Sequence, residues 1–172
     1  MSGRRNFNLE YIQAELQKLS SSLETELPVY GTVGCAMAYY RLKEGTKDTD
    51  FVVRTAEESG TLVGSLLRIS YHQLKYATLG NAHRGMNAQA VVENRDGFRW
   101  DVFTKKVVNK LTLTDSMMKR ATKTYDGGRL KLFTLSNEDV FLMKGVTDLE
   151  LDQDDMKVMT GSGLDYDVIL KR

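Results

Sequence analysis

The chain is poor in the residues from which redox and zinc sites are built. Its 172 residues include one cysteine, Cys35, and two histidines, His72 and His83. A lone cysteine cannot form an internal disulfide, and these three side chains are too few for a four-ligand zinc site. The sequence therefore excludes an internal disulfide and a structural zinc site of the Cys/His type.

Long apolar runs are also missing. No stretch approaches the ~20 consecutive apolar residues that span a bilayer, and residues 1–5 lead into an amphipathic segment instead of an apolar signal core. We therefore expect a cytoplasmic protein without a membrane partner. Proline occurs once, at Pro28, and the chain has no internal repeat and no Pro/Ser-rich linker. Together with the chain length, this predicts one domain over residues 1–172.

The charges are unevenly distributed along the chain, although their sum is only +1. Residues 99–131 contain nine basic and three acidic residues, whereas residues 134–167 contain two basic and nine acidic ones. Such asymmetry permits a polyanionic partner on the basic surface. The alternative is two ordinary solvated faces.

Hydrophobic periodicity and capping residues predict alternating helices and strands. Predicted helices cover 9–24, 35–43, the segment after the Thr55/Glu58 capping box as far as Leu74, 115–123, 136–144 and 153–160. Predicted strands cover 29–33, 49–54, 86–93, 98–104 and 129–133. Asp96-Gly97 stands between two of these strands, which is a strong signal for a β-hairpin. Because strand–helix–strand units are mixed with hairpins, we predict an α/β fold with a mixed β-sheet flanked by helices.

Two aspartates, Asp48 and Asp50, lie two residues apart at a predicted strand, which puts their side chains on one face. Like charges repel unless water solvates them or a cation lies between them, and such oxygen ligands suit Mg²⁺. Asp101 lies on a different predicted strand. If the two strands are neighbours, three carboxylates meet, as two-metal phosphoryl or nucleotidyl transfer requires. The alternatives are that Asp48 and Asp50 face solvent and that Asp101 pairs with Arg99 or a nearby lysine.

A turn of small residues follows the first predicted strand, at residues 31–36, and contains Gly34 and Cys35. Backbone N–H groups at the start of the next helix have no partner within that helix, so such a turn can bind an anion such as a triphosphate. Glycines at these turns also serve packing alone, which is the alternative.

Four segments combine into one larger pattern: residues 33–37, 46–51, 99–103 and 136–144. In this order and spacing they resemble the minimal nucleotidyltransferases of the polymerase-beta-like superfamily, and most closely the families related to abortive-infection toxins. The resemblance spans about residues 30–155. Its most specific parts are Thr-Lys-Asp-x-Asp at 46–50 and Glu-Asp-x-x-x-x-Lys at 138–144.

The resemblance implies a nucleotidyltransferase fold and activity. A nucleoside monophosphate would move from a nucleoside triphosphate to a hydroxyl group on RNA, protein or a small molecule, with loss of pyrophosphate. Asp48, Asp50 and Asp101 would hold Mg²⁺ or Mn²⁺, and Asp101 would help to activate the attacking hydroxyl. The domain would divide into an N-terminal helix (1–27), a catalytic core (28–135) and C-terminal helices (136–172).

The resemblance also assigns substrate binding to Gly34, Cys35, Lys47 and Lys144, with Lys144 neutralising phosphate charge. An ordinary helix lysine is the alternative for Lys144. Relatives have Gly-Gly or Gly-Ser where this chain has Gly34-Cys35, and a thiol forms poorer hydrogen bonds than a serine hydroxyl. This departure favours the alternative function, a non-catalytic protein of the same fold that binds nucleotide or nucleic acid, such as a toxin–antitoxin component.

An RNA acceptor would need basic residues close to the carboxylates. Lys105, Lys106 and Lys110 directly follow the predicted strand of Asp101. If the acceptor is RNA, we expect these lysines to flank the site and to contact phosphates.

Overall fold

A mixed β-sheet forms the centre of the computed structural model of this chain. The structure describes residues 4–32, 37, 39–41, 44–79, 81–85, 87–107, 111–145 and 150–171. Within these residues the strands are β1 (Leu27–Gly31), β2 (Asp48–Val53), β3 (His72–Gln73), β4 (Ala90–Glu93), β5 (Arg99–Thr104), β6 (Lys106–Val107), β7 (Leu111–Thr112), β8 (Thr122–Asp126) and β9 (Leu130–Thr134). β6 and β7 form a separate antiparallel pair, and the other strands are ordered β3-β4-β5-β2-β1-β9-β8 across the sheet.

The sheet contains both parallel and antiparallel strand pairs. β2 runs parallel to β5, and β1 runs parallel to β9. The pairs β1–β2, β3–β4, β4–β5 and β8–β9 are antiparallel. The predicted mixed sheet and the predicted hairpin around Asp96-Gly97 are therefore confirmed.

Helices flank the sheet. Within the described residues they are α1 (Leu9–Ser22), α2 (Ala56–Arg68), α3 (Asn81–Gly85), α4 (Asp115–Arg120), α5 (Asn137–Gly145), α6 (Glu150–Gly161) and α7 (Tyr166–Leu170), with a 3₁₀ turn at Tyr76–Thr78. Two predicted caps are confirmed. Asn8 Oδ1 accepts from the Tyr11 N–H at 2.9 Å, and Thr55 Oγ1 accepts from the Glu58 N–H at 3.1 Å. In the part of the chain that the structure describes, no helix is long and apolar enough to cross a bilayer.

Side-chain alternation along the strands creates two apolar layers, one on each face of the sheet. The first layer joins the sheet to α1 and α2, and it includes Leu16, Phe51, Leu62, Trp100 and Val102. The second layer joins the sheet to α4, α5 and α6, and it includes Val52, Phe103, Met117, Met143 and Met159. Asp48, Asp50 and Asp101 alternate in step with Val52 and Phe103. Their side chains therefore belong to the second face.

Two predicted helix ends are wrong. α2 ends at Arg68 because Ser70 adopts a left-handed conformation, with φ 73°, so Leu74 lies beyond the helix in which it was expected. The helix predicted over 115–123 stops at Arg120. The residues that follow form β8, which pairs with β9 at the edge of the sheet.

A polar network that is buried at Tyr71 and Glu15 and reaches the surface at Asp96 ties α1 to the β4–β5 hairpin. The Tyr71 hydroxyl donates to Glu15 Oε2 at 2.5 Å. The Tyr11 hydroxyl accepts from Asn94 Nδ2 at 2.8 Å and donates to Asp96 Oδ2 at 2.6 Å. Burial raises the pKa of Tyr11 to about 12 and also raises the pKa of Tyr71. Both phenols therefore stay protonated and keep donating well into the alkaline range.

We expect Tyr71→Phe to lower the free energy of unfolding at pH 8 by about 1–3 kcal/mol, because the buried Glu15 carboxylate loses a donor. Because the pKa of Tyr71 is raised, its contribution to the free energy of unfolding falls at high pH. Its contribution to stability is full below pH 10, the ordinary phenol value, and is lost as the pH rises above it. Urea unfolding should therefore show a smaller difference between the two proteins at pH 11 than at pH 8. A difference that grows with pH would contradict this.

Candidate active site

β2 and β5 bring the three predicted carboxylates to one end of the sheet. In the parallel register of these strands, Asp50 lies opposite Asp101 and Asp48 lies opposite Arg99. Neighbouring strands are about 4.8 Å apart, so the backbones of Asp50 and Asp101 lie side by side. The sequence analysis predicted that the three carboxylates meet if these two strands are neighbours, and β2 and β5 are neighbours.

Asp101 is the most deeply buried of the three aspartates. It is 1% exposed, and the residue opposite it on β4, Val91, is also buried. Asp48 and Asp50 are half-buried. A buried carboxylate is costly unless cationic or hydrogen-bonding groups face it, and such positions concentrate at functional sites. The burial of Asp101 beside Asp50 therefore marks this end of the sheet as the candidate active site.

Arg4, which the sequence did not single out, holds Asp48. Arg4 Nη2 donates to Asp48 Oδ1, to the Lys47 carbonyl oxygen at 2.9 Å and to the Gly97 carbonyl oxygen at 3.3 Å. The guanidinium thus joins the start of β2 to the tip of the β4–β5 hairpin. Lys47, one of the predicted substrate-binding residues, has an exposed side chain at this same edge.

A row of polar side chains continues across the second face toward the sheet edge. Glu93 on β4 lies opposite Arg99 on β5, and Arg99 Nε donates to Glu93 Oε2 at 2.5 Å. His72 on β3 lies opposite Glu93 and is exposed. The row therefore runs from His72 through Glu93 and Arg99 to Asp48. The sequence could have predicted that Glu93 lies opposite Arg99, because the turn of the predicted hairpin fixes the register of its two strands.

The predicted phosphate-binding turn begins beside Asp50. β1 ends at Gly31, and the Thr32 N–H donates to the Asp50 carbonyl oxygen at 3.0 Å. Gly34 and Cys35 lie outside the described residues, as does most of the helix predicted over 35–43. The described part of the chain thus leads into the turn next to the carboxylates.

Lys144 forms a buried ion pair that joins α5 to α6. Its Nζ donates to Asp155 Oδ2 at 2.6 Å, and the residue is 1% exposed. α5 itself is anchored by Asp139, which is fully buried and accepts from Arg120 Nη2 at 2.7 Å. Burial raises the pKa of Asp139, although Ser136 and Arg120 act in the opposite direction. In this arrangement the Lys144 ammonium does not face solvent.

Two of the three lysines expected near the site, Lys105 and Lys106, lie beyond the other end of β5. Lys105 and Lys106 follow the far end of β5, and the Lys105 N–H donates to the Val53 carbonyl oxygen. Four residues of strand separate Asp101 from Lys105, which is roughly 13 Å at 3.3 Å per residue. The expectation that these two lysines flank the carboxylates is therefore wrong. Lys110 lies outside the described residues.

The carboxylates have the chemistry of a Mg²⁺ or Mn²⁺ site. Their oxygens are the ligands that these ions prefer, and Asp48 already holds a cationic group, the Arg4 guanidinium. Among the described residues, no three Asp, Glu, His or Cys side chains are already gathered around one point as in an assembled metal centre. The carboxylate oxygens suit the metal by their chemistry, while the Asp48 side chain is engaged by Arg4.

Two solved structures are similar to this chain over most of its length. One is ANT(2")-Ia in complex with adenylyl-2"-tobramycin, with a TM-score of 0.57, 13% sequence identity and coverage of 91% of each chain. The other is the lincosamide antibiotic adenylyltransferase LnuA with bound lincomycin, with a TM-score of 0.57, 16% identity and coverage of 91% of this chain and 98% of that one. A comparison with protein-family models gives no match, and a comparison with curated proteins gives none either.

One of these structures is named as an adenylyltransferase, and the other holds an adenylylated tobramycin. This chain has the nucleotidyltransferase fold. The predicted fold class is thereby confirmed. The closer relationship to abortive-infection toxins stays a prediction.

We expect Lys144→Met to lower the free energy of unfolding by about 3 kcal/mol, because it leaves the Asp155 carboxylate without its buried ammonium partner. The matched control is Lys157→Met, since Lys157 forms an exposed ion pair on the same helix, α6, with Asp154. That change should cost less than about 1 kcal/mol. Chemical unfolding of both variants checks this. A Lys144→Met protein as stable as the wild type would contradict a stabilising role of this ion pair.

Proposed function

We propose that this protein is a Mg²⁺-dependent nucleotidyltransferase that moves a nucleoside monophosphate from a nucleoside triphosphate to a hydroxyl group of a small molecule. One observation carries the proposal. The register of β2 and β5 sets Asp50 beside Asp101, with Asp48 two residues along on the same face. The nucleotidyltransferase fold of the chain supports the same chemistry.

The three aspartates share one role in this proposal, and Asp101 has a second. Asp48, Asp50 and Asp101 would hold Mg²⁺ or Mn²⁺, which when bound neutralises triphosphate charge and makes the attacking hydroxyl more acidic. Asp101 accepts the proton of that hydroxyl, in keeping with its buried position beside Asp50. The hydroxyl oxygen forms a bond to the α-phosphorus, and the bond from the α-phosphorus to the pyrophosphate oxygen breaks.

Groups on both sides of the carboxylates would bind the triphosphate. Backbone N–H groups at Gly34 and Cys35 would contact it, since the chain enters that turn beside Asp50. Lys47 is exposed directly before Asp48 and can neutralise phosphate charge. Lys144 would reach a phosphate only after its pair with Asp155 opens, so Lys47 is the stronger candidate.

We prefer a small-molecule acceptor to RNA or protein because the lysines expected to hold RNA, Lys105 and Lys106, follow the far end of β5. The two similar structures contain adenylyl-2"-tobramycin and lincomycin, which are small molecules. The expected cytoplasmic location and the toxin–antitoxin role rest on the sequence alone.

We expect the wild-type protein to bind a nonhydrolysable ATP or GTP analogue in a Mg²⁺-dependent manner, measured by calorimetry. Asp50→Asn and Asp101→Asn should each weaken that binding at least about tenfold, because each removes a metal-binding carboxylate. Asp154→Asn is the matched control, since Asp154 is an exposed carboxylate on α6. The wild type should also move label from α-³²P-labelled nucleoside triphosphates to a hydroxyl compound, with tobramycin and lincomycin as first probes.

Two results would count against the proposal. Analogue binding that is equally tight with and without Mg²⁺ would favour the non-catalytic alternative, a protein that binds nucleotide without transferring it. An Asp101→Asn protein that binds the analogue as the control does would show that Asp101 has no part in the site.

A further inference from the structure

The N-terminal segment before α1 is fixed against the candidate site. Phe7 and Thr46 form a short antiparallel bridge, in which each N–H donates to the other carbonyl oxygen at 2.8 and 2.9 Å. The Phe7 ring is buried against Tyr11 and Phe98, with ring centroids 4.6 and 5.0 Å apart. A side chain at Gly45 would place a Cβ 2.8 Å from the Phe7 carbonyl oxygen, so this close approach requires glycine.

This anchoring presents Arg4 to Asp48. The Arg4 guanidinium contacts Asp48 Oδ1 and two backbone carbonyl oxygens, at Lys47 and Gly97. The two side chains of the ion pair are about equally exposed, at 27% and 26%. A pair at this depth is strong enough to fix a side chain and weak enough to be exchanged for a better cation.

A guanidinium and a divalent cation compete for one carboxylate. Both are positive, so they repel each other when close, and Arg4 occupies Oδ1, one of the two Asp48 oxygens that Mg²⁺ or Mn²⁺ can bind. Release of Arg4 therefore frees Asp48 Oδ1 and removes a positive charge that opposes the binding of the ion.

We propose that Arg4 is a counter-ion which holds Asp48 in the metal-free protein and is displaced when the divalent cation binds. This rests on the proposed function in one respect, namely that Asp48 is a metal ligand. Arg4 then weakens the binding of the metal, and metal binding releases Arg4. The state of Arg4, bound to Asp48 or released, therefore indicates whether the site holds a divalent cation.

The first test is the affinity for Mn²⁺, measured by electron paramagnetic resonance, of the wild-type protein and of Arg4→Gln. The matched control is Arg5→Gln, which removes the same charge one residue away, where Arg5 lies over the Phe7 ring at 5.4 Å. We expect Arg4→Gln to bind Mn²⁺ about three- to tenfold more tightly, since it loses a competing ion pair. Arg5→Gln should stay within about twofold of the wild type, because its charge is exposed and screened.

The second test detects the release of Arg4 directly. In the Arg5→Gln protein, the rate of tryptic cleavage after Arg4 is measured by mass spectrometry with and without saturating Mn²⁺. Cleavage follows the population in which Arg4 is free, so Mn²⁺ should accelerate it at least about threefold. An unchanged or slower rate would show that Arg4 stays on Asp48 in the loaded site, and the proposal would be wrong.

The outcomes separate this proposal from the proposed function. If the wild type binds Mn²⁺ and Arg4→Gln binds it no more tightly, the counter-ion role alone is wrong. If neither protein binds Mn²⁺, the metal site is wrong and the role of Arg4 fails with it. If only Arg4→Gln binds Mn²⁺, the competition is strong and the proposal is supported.

Discussion

The six residues of β2 lie in parallel register beside the six residues of β5, and the candidate site depends on this pairing. The same register buries Trp100 beside Phe51 on the first face, with ring centroids 4.6 Å apart, and Asp101 beside Asp50 on the second. A slip of one residue would exchange the faces of one strand. Trp100 would then lie among the aspartates and Asp101 in the apolar layer under α1 and α2, so the core itself enforces the carboxylate arrangement.

The N-terminal part of the chain supports the end of the sheet where these aspartates lie. Arg4 bonds to the Gly97 carbonyl oxygen at the tip of the β4–β5 hairpin. On the other side of that turn, Asn94 Oδ1 accepts from the Asp96 and Phe98 N–H groups at 3.0 Å each. Asn94 also donates to the Tyr11 hydroxyl on α1. These bonds fix the turn from which β5 begins. Arg99 and Asp101 lie within the first three residues of β5.

Much of this arrangement could be predicted from local sequence. The spacing of Asp48 and Asp50 gives their shared face, and Asp96-Gly97 gives the hairpin, because both signals act over a few residues. The adjacency of β2 and β5 was only a condition, since strand order depends on long-range pairing. The burial of Lys144 against Asp155 depends on how the successive helices α5 and α6 pack, and the contact of Arg4 with Asp48 joins segments 44 residues apart. β8 was missed because its partner β9, and not its own alternation, makes it a strand.

Anomalous diffraction from crystals of the wild-type protein, grown with Mn²⁺ and a nonhydrolysable nucleoside triphosphate analogue, would locate the metal and the triphosphate together. We expect an anomalous peak within coordination distance of oxygens of Asp48, Asp50 and Asp101, with the triphosphate on the same face of the sheet. A peak at another site, or an ordered analogue whose phosphates lie away from these aspartates, would contradict this expectation.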